Sequence, residues 1–247
     1  MNYRTHIVSS LSEIGQTAWD ALVSAQDEPN PFLSFAFLHA LHESGSAAAG
    51  RGWQPQFIAL WDGDTLAAAL PLYVKDHSYG EYVFDWAWAD AYQRHGFDYY
   101  PKLLSAIPFT PVTGPRLLAR DPAARAALID VLRATQEASG VSSTHILFPP
   151  EDEARQLADA GYMLRSGVQF HWLNAGYRDF DEFLATLEQK KRKNIRAERR
   201  KVREAGVSLR RVRGVDAQDA DWRFFNRCYR NTYAAHYSTP YLNLDFW

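Results

Sequence analysis

The chain has 247 residues, of which 47% are hydrophobic and 23% charged, with 27 basic against 29 acidic side chains. That is apolar enough for a folded core in one large domain or two small ones, and too weakly charged for a disordered chain. A net charge of −2 excludes a generally basic nucleic-acid binder, and the single cysteine, Cys228, excludes an internal disulfide.

The N-terminal stretch has no basic start followed by a continuous apolar core. No apolar run reaches membrane-spanning length. The expectation is a cytoplasmic protein without a transmembrane segment.

Leu11, Ile14, Ala18 and Leu22 have helical spacing behind a Ser10/Ser12 cap, predicting a helix over 11–27. After the loop EPNPFLS, Ser34 caps a short helix that stops at Gly45. In PQFIALWDGDTLAAALPLYVK, two apolar runs flank Asp62-Gly63-Asp64, a hairpin signal. EYVFDWAWADAYQRHG reads as a strand running into a helix that Gly96 ends. KLLSAIPFTPVTG is a strand leaving a Pro-rich turn.

Pro122 opens a helix to Ser139, stopped by Gly140. THILF is a short buried strand. PEDEARQLADAG is a helix with acids in its first turn, as the helix dipole favours. MLRSGVQFHWLN is a strand. Asp179 or Asp181 then starts a long helix to Ala205, roughly 35–40 Å in length, with Gly206 after it. VSLRRVR is a strand, and Asp216 caps a helix to Ala235. STPYLNLDFW reads as a helix start, with Thr239 as cap and Pro240 at the first position. No stop signal follows it, so the chain is expected to be cut inside a second domain.

Strands alternating with helices, with a hairpin among them, predict an α/β fold on a mixed sheet. The expected domains are 1–175 and 176–247.

KKRKNIRAERRKV, residues 190–202, gathers eight basic side chains with Glu198 as its one acid. Like charges at helical spacing cost a few tenths of a kcal/mol per pair. Arg192, Arg196, Arg199 and Arg203 follow one side of the helix, and the planar fork of arginine suits phosphate. Lys190 and Lys193 add to the same charge. Two readings stand: an anion site, or a solvated face that favours the dipole at the helix C-terminus.

Several stretches taken together resemble the FemAB-like peptidoglycan biosynthesis/recognition proteins of the GNAT-like acyl-CoA N-acyltransferase superfamily. They are HSYGEYVFDWAWADAY, DYYPKLLSAIPFTPVTGPRLL, GVQFHWLN, FDEFLATLEQKKRKNIRAERRKV and CYRNTYAAH. The resemblance implies two GNAT-like domains in tandem, the first complete here and the second truncated. It implies amide formation at an amine, with acyl-CoA or aminoacyl-tRNA as anionic donor, and a peptidoglycan precursor as an acceptor. One departure concerns the donor: the sole G-x-G, Gly50-Arg51-Gly52, precedes a strand, so no N–H cradle at a helix N-terminus is visible for a CoA pyrophosphate.

Acyl transfer to an amine needs a proton acceptor, N–H donors for the carbonyl oxygen, and a tether for the donor's phosphates. HSYGEYVFDWAWAD sets His77, Glu81 and Asp85 among aromatics, where desolvation raises a carboxyl pKa. Glu81 or Asp85 is the expected base. DYYPK offers Tyr99, Tyr100 and Lys102 for acid or binding roles, against ordinary packing. TGPR is a turn that either presents Arg116 to an anion or is an ordinary turn. His171 reads as structural, Cys228 has no paired base, and no spacing suggests a metal. The rival class is a non-catalytic protein that binds a cell-wall precursor or another anion. tRNA and peripheral membrane contact are further expected partners, and the oligomeric state is left open.

Overall fold

A computed structural model describes residues 3–247. It is a mixed α/β structure with two four-stranded sheets. The chain divides into two compact units, one of Met1–Leu164 with Trp222–Trp247, the other of Arg165–Asp221. The boundary read near 174–180 falls inside the second unit.

The first unit holds both sheets. Strands β1 (Arg4–Val8), β3 (Phe57–Asp62), β4 (Thr65–Leu70) and β7 (Leu118–Ala119) form one, fully antiparallel. Strands β2 (Gln54–Pro55), β5 (Tyr73–Lys75), β6 (Lys102–Ser105) and β8 (Thr144–Ile146) form the other, in which β6 and β8 run parallel. The β3–β4 hairpin turns at Gly63, whose φ of +58° is the left-handed geometry such a turn requires.

Both faces of β3 are covered, which is why FIAL reads as an unbroken apolar run. Phe57 and Ala59 pack with Trp19, Leu38 and Leu41 from helices α1 (Gln16–Ser24) and α2 (Phe35–Glu43). Ile58 and Leu60 pack with Leu128 and Leu132 of helix α4 (Pro122–Ser139). The caps follow the sequence: Ser34 accepts from Phe37 N–H, and Asp121 accepts from Ala124 N–H ahead of Pro122. Helix α3 (Trp86–Arg94) ends before Gly96, and α5 (Glu151–Asp159) carries its three acids in the first turn. The stretch before α3 forms no strand.

Residues 163–174, which run into the second unit from Leu164, and residues 207–213 within it are not strands. Among the described residues neither has a ladder partner, and Val168, Phe170 and Leu209 are exposed. The alternation of side chains was present, but a strand exists only where a neighbour takes its N–H and C=O groups. The expected long helix is two helices, α6 (Phe180–Ala185) and α7 (Gln189–Glu204). Asp179 caps the first, accepting from Glu182 N–H. Thr186 then donates its hydroxyl back to Phe183 C=O (2.8 Å), a local bond that competes with helix continuation. The Arg192 guanidinium takes the carbonyls of Ala185 and Leu187 that the break leaves free.

Helix α8 (Asp219–Ala235) is not capped by Asp216, whose carboxylate is held by Arg213 (2.6 Å). Residues 239–247 form turns rather than the helix read from Thr239-Pro240. Leu242 N–H donates to the Tyr229 hydroxyl (3.2 Å), and Leu242 and Phe246 pack on the core individually.

Candidate functional site

Strand periodicity places the central groups. β5 and β6 pair antiparallel with Tyr73 opposite Leu104 and Lys75 opposite Lys102. Side chains two apart share a face. The two lysines therefore point to the same side as Tyr73 and Leu104, into the core. Both are fully buried.

The acids come from the segment between these strands. Gly80 has φ +82°, and a Cβ there would lie 2.6 Å from the Phe109 ring. Phe109 N–H donates to Gly80 C=O (3.1 Å). Only glycine permits both the backbone angle and this approach, and the turn so made directs Glu81 inward. Asp85 sits at the start of α3, where its carbonyl accepts from Trp88 N–H and Ala89 N–H. Its carboxylate makes no capping bond and turns into the cluster instead.

Lys102 Nζ donates to Asp85 Oδ2 (2.6 Å), Ser78 Oγ (2.8 Å) and Glu81 Oε2 (2.9 Å), so its three protons are all engaged. Ser78 donates its single hydroxyl proton to Asp85 Oδ2 (3.0 Å). The Ser78 oxygen therefore accepts from Tyr100, whose hydroxyl lies 2.7 Å away. Tyr99 OH donates to Asp85 Oδ2 (2.7 Å). His145 closes the edge, with Nε2 2.9 Å from Ser143 Oγ.

The two carboxyls are treated unequally. Glu81 and Asp85 are 3% and 1% exposed, so burial pushes both upward. For Glu81 burial wins over the single Lys102 contact, and its pKa is raised. For Asp85 the donors Lys102, Tyr99 and Ser78 outweigh burial and leave its pKa below the usual value. Asp85 is the fixed anion and Glu81 the group able to exchange a proton. Glu81 Oε1 and Asp85 Oδ1 have no hydrogen-bond partner among the described residues. The same segment carries exposed aromatics, Tyr79, Tyr82, Phe84 and Trp86, with Tyr79 and Trp86 edge to face (5.5 Å).

The expected residues separate into three groups. Glu81, Asp85, Tyr100 and Lys102 converge. His77 stands apart: its Nδ1 accepts from Tyr79 N–H (3.1 Å) and its Nε2 lies 3.6 Å from Asp76. Burial lowers its pKa, favouring the neutral ring. The G-x-G serves this neighbourhood, since a Cβ on Gly52 would lie 2.2 Å from Asp76 Oδ1 and 2.5 Å from His77 Nε2.

Arg116 corrects the expectation of a cation offered to an anion. It is fully buried and donates to the carbonyls of Val112 (2.7 Å), Gly114 (2.8 Å) and Pro115 (3.1 Å). The guanidinium ties its own turn together, and Glu153 accepts from the Arg116 and Leu117 N–H groups (2.9 and 3.1 Å).

The basic residues form the third group, on α7, which buries no side chain. Part of their charge is met within their own unit. Arg196 pairs with Asp181 (3.1 Å), Arg199 lies over the Phe180 ring (4.2 Å), and Arg192 holds backbone carbonyls. Lys190 and Lys193 make no ion pair among the described residues.

Ser78, Lys75 and His145 were not found by sequence reasoning. The available signal for Lys75 was its place two residues after Tyr73 in a short apolar strand. Among the described residues no group of three or more His, Cys, Asp or Glu side chains is placed to hold a metal. No described helix is long and apolar enough to cross a membrane.

A sequence profile of the FemAB-like family, described as peptidoglycan biosynthesis/recognition, matches residues 10–247. The chain belongs to the FemAB-like family. The match takes in the Ser78–Lys102 cluster and the basic helix alike. Membership ties the protein to peptidoglycan-related biosynthesis or recognition. No curated protein matches the chain.

Proposed function

We propose that this FemAB-like protein is a GNAT-like N-acyltransferase or aminoacyltransferase that forms an amide on an amine acceptor, such as the peptide of a peptidoglycan precursor. The observation that carries the reading is the unequal pair of carboxyls. One acid is anchored as an anion, and beside it one has its pKa raised by burial and keeps a free oxygen. Such a split pairs a fixed charge with a carboxyl that can exchange a proton.

In this reading Glu81 takes the proton of the attacking amine. Lys102 and Asp85 hold Glu81 in place, and Tyr100 and Ser78 fix Lys102. The exposed aromatic surface receives the acceptor, and the α7 cations Lys190 and Lys193 are, within their own unit, the groups suited to phosphates such as those of acyl-CoA or aminoacyl-tRNA. The tandem GNAT-like arrangement and a cytoplasmic location belong to the same proposal.

The test incubates the protein with a panel of acyl-CoAs, and separately with charged tRNA plus cell-wall precursors, and looks for amide product by mass spectrometry. Glu81→Gln should lower turnover by about 10²–10⁴-fold while acceptor affinity stays. A second reading, a binding protein without chemistry, is favoured by the near-complete burial of both acids. It requires precursor binding by wild type and Glu81→Gln alike, and no product from any donor.

A further inference from the structure

The transfer reaction described above makes no use of Lys75, yet Lys75 is the most anomalous charge-bearing group in the molecule. It is fully buried. Its partner across the ladder is another fully buried lysine, Lys102. Like charges directly opposite one another on one face of a sheet repel. Lys102 takes both carboxylates at 2.6 and 2.9 Å, and Lys75 has no carboxylate within ion-pair distance among the described residues. What Lys75 does have is the Trp53 ring, 3.9 Å below its Nζ, and one long hydrogen bond to Tyr79 C=O (3.4 Å).

The charge count then points one way. Lys102 balances Asp85. One acid, Glu81, held by Lys102 through a single oxygen, and one amine, Lys75, opposite Lys102 on the ladder, are left in the buried neighbourhood of Lys102, with Asp76 and His77 on the loop that follows β5. A buried cation without a counter-ion gives up its proton, and so does one set against a second cation. We infer that Lys75 and Glu81 hold a single exchangeable proton between them, and that this pair, rather than Glu81 alone, is the proton store of the site.

This inference rests on the transferase reading for its use, though not for its existence. As the bond from the acyl carbon to the leaving oxygen or sulfur breaks, the pair's proton passes to that atom. The proton that the amine nitrogen loses as the new C–N bond forms replaces it on the pair. The pair ends in the state in which it began, and no other reactant is needed. The electrostatics agree with the geometry: burial, the largest influence, and Lys102 lower the Lys75 pKa while Glu81 and Asp76 raise it, leaving it at about 7.

The test reads the proton directly on the wild-type protein. With lysine labelled by ¹³C and ¹⁵N, the Lys75 side chain is identified by its cross-peaks to the Trp53 ring and followed by NMR from acid to alkaline pH. Lys75 should lose its proton near neutrality, with the surface lysines unchanged over that range. In Glu81→Gln, where an opposing acid is gone, the Lys75 midpoint should fall further. In Gly63→Ala, a turn variant remote from the cluster, it should stay. A Lys75 signal that titrates together with the surface lysines overturns the inference, and so does a midpoint indifferent to Glu81→Gln. Absence of transferase product alongside a neutral Lys75 would instead count against the proposed reaction and leave the proton pair standing.

Discussion

The Ser78–Lys102 cluster and helix α7 both concentrate charge, and they spend it in opposite ways. In the cluster, Lys102 and Asp85 meet at 2.6 Å with essentially no solvent access. On α7, Arg196 and Asp181 meet at 3.1 Å with 58% and 79% of their side chains exposed. Water screens the second pair and is excluded from the first. The same chemical groups thus help to define the structure in one region and contribute little stability in the other.

Lys102→Met should break the comparison most severely. It strands Asp85 in the core without its cation and takes from Glu81 its hydrogen-bonded partner, and about 3–5 kcal/mol of stability should vanish in denaturant unfolding. A loss no larger than that of a surface lysine variant would mean that the cluster is solvated.

Gly80→Ala attacks the turn that aims Glu81. Its strain and its contact with Phe109 should cost about 2–4 kcal/mol. The Tyr99 and Lys102 signals should shift with it, and an unchanged spectrum would separate the turn from the cluster.

Lys75→Met sharpens the contrast through pH. The folded-state pKa lies near 7, below the unfolded value. Stability from this group is therefore full above the unfolded pKa of about 10.4, falls as pH drops toward 7, and levels off below. The variant should gain on wild type by about 1–3 kcal/mol more at about pH 6.5 than at about pH 10. A pH-independent difference would place the charge in water.

His42 supplies a smaller acid limb. Burial, helped by His39, lowers its pKa to about 4, with Nε2 3.1 Å from the Tyr73 hydroxyl. Its contribution is full above about pH 6.5 and is lost as pH falls toward 4, worth about 1–2 kcal/mol. His42→Gln should flatten that slope, as equilibrium unfolding at several pH values would reveal.

Arg196→Gln should change stability by less than about 0.5 kcal/mol. The readout for α7 is salt: binding of a phosphate-rich probe should weaken with a log-log slope of about −0.7 to −0.9 per contact. Lys190→Gln with Lys193→Gln should reduce that slope. An unaltered slope would return the helix to a solvated face.

Much of the fold was legible where local chemistry decides. Ser34, Asp121 with Pro122, and Gly63 each act within a few residues, and each does what its type implies. Residues 163–174 and 207–213 failed as strands because pairing belongs to the neighbour. The break at Thr186–Glu188 was hidden because Leu187 extends the helical spacing of Phe180, Phe183 and Leu184 into it. Arg116 was misjudged because a turn motif does not say which way a long side chain points.

The site divides along the same line. Chain order alone put Glu81 and Asp85 among aromatics and Lys102 after two tyrosines, because the residue types that shift a carboxyl pKa lie close together in sequence. Pairing of β5 with β6 was needed to bring Lys75 against Lys102, and core packing to strip the water from both acids. Proton affinity depends on the distance between charges and the solvent around them, and those quantities come into being only when separate segments meet.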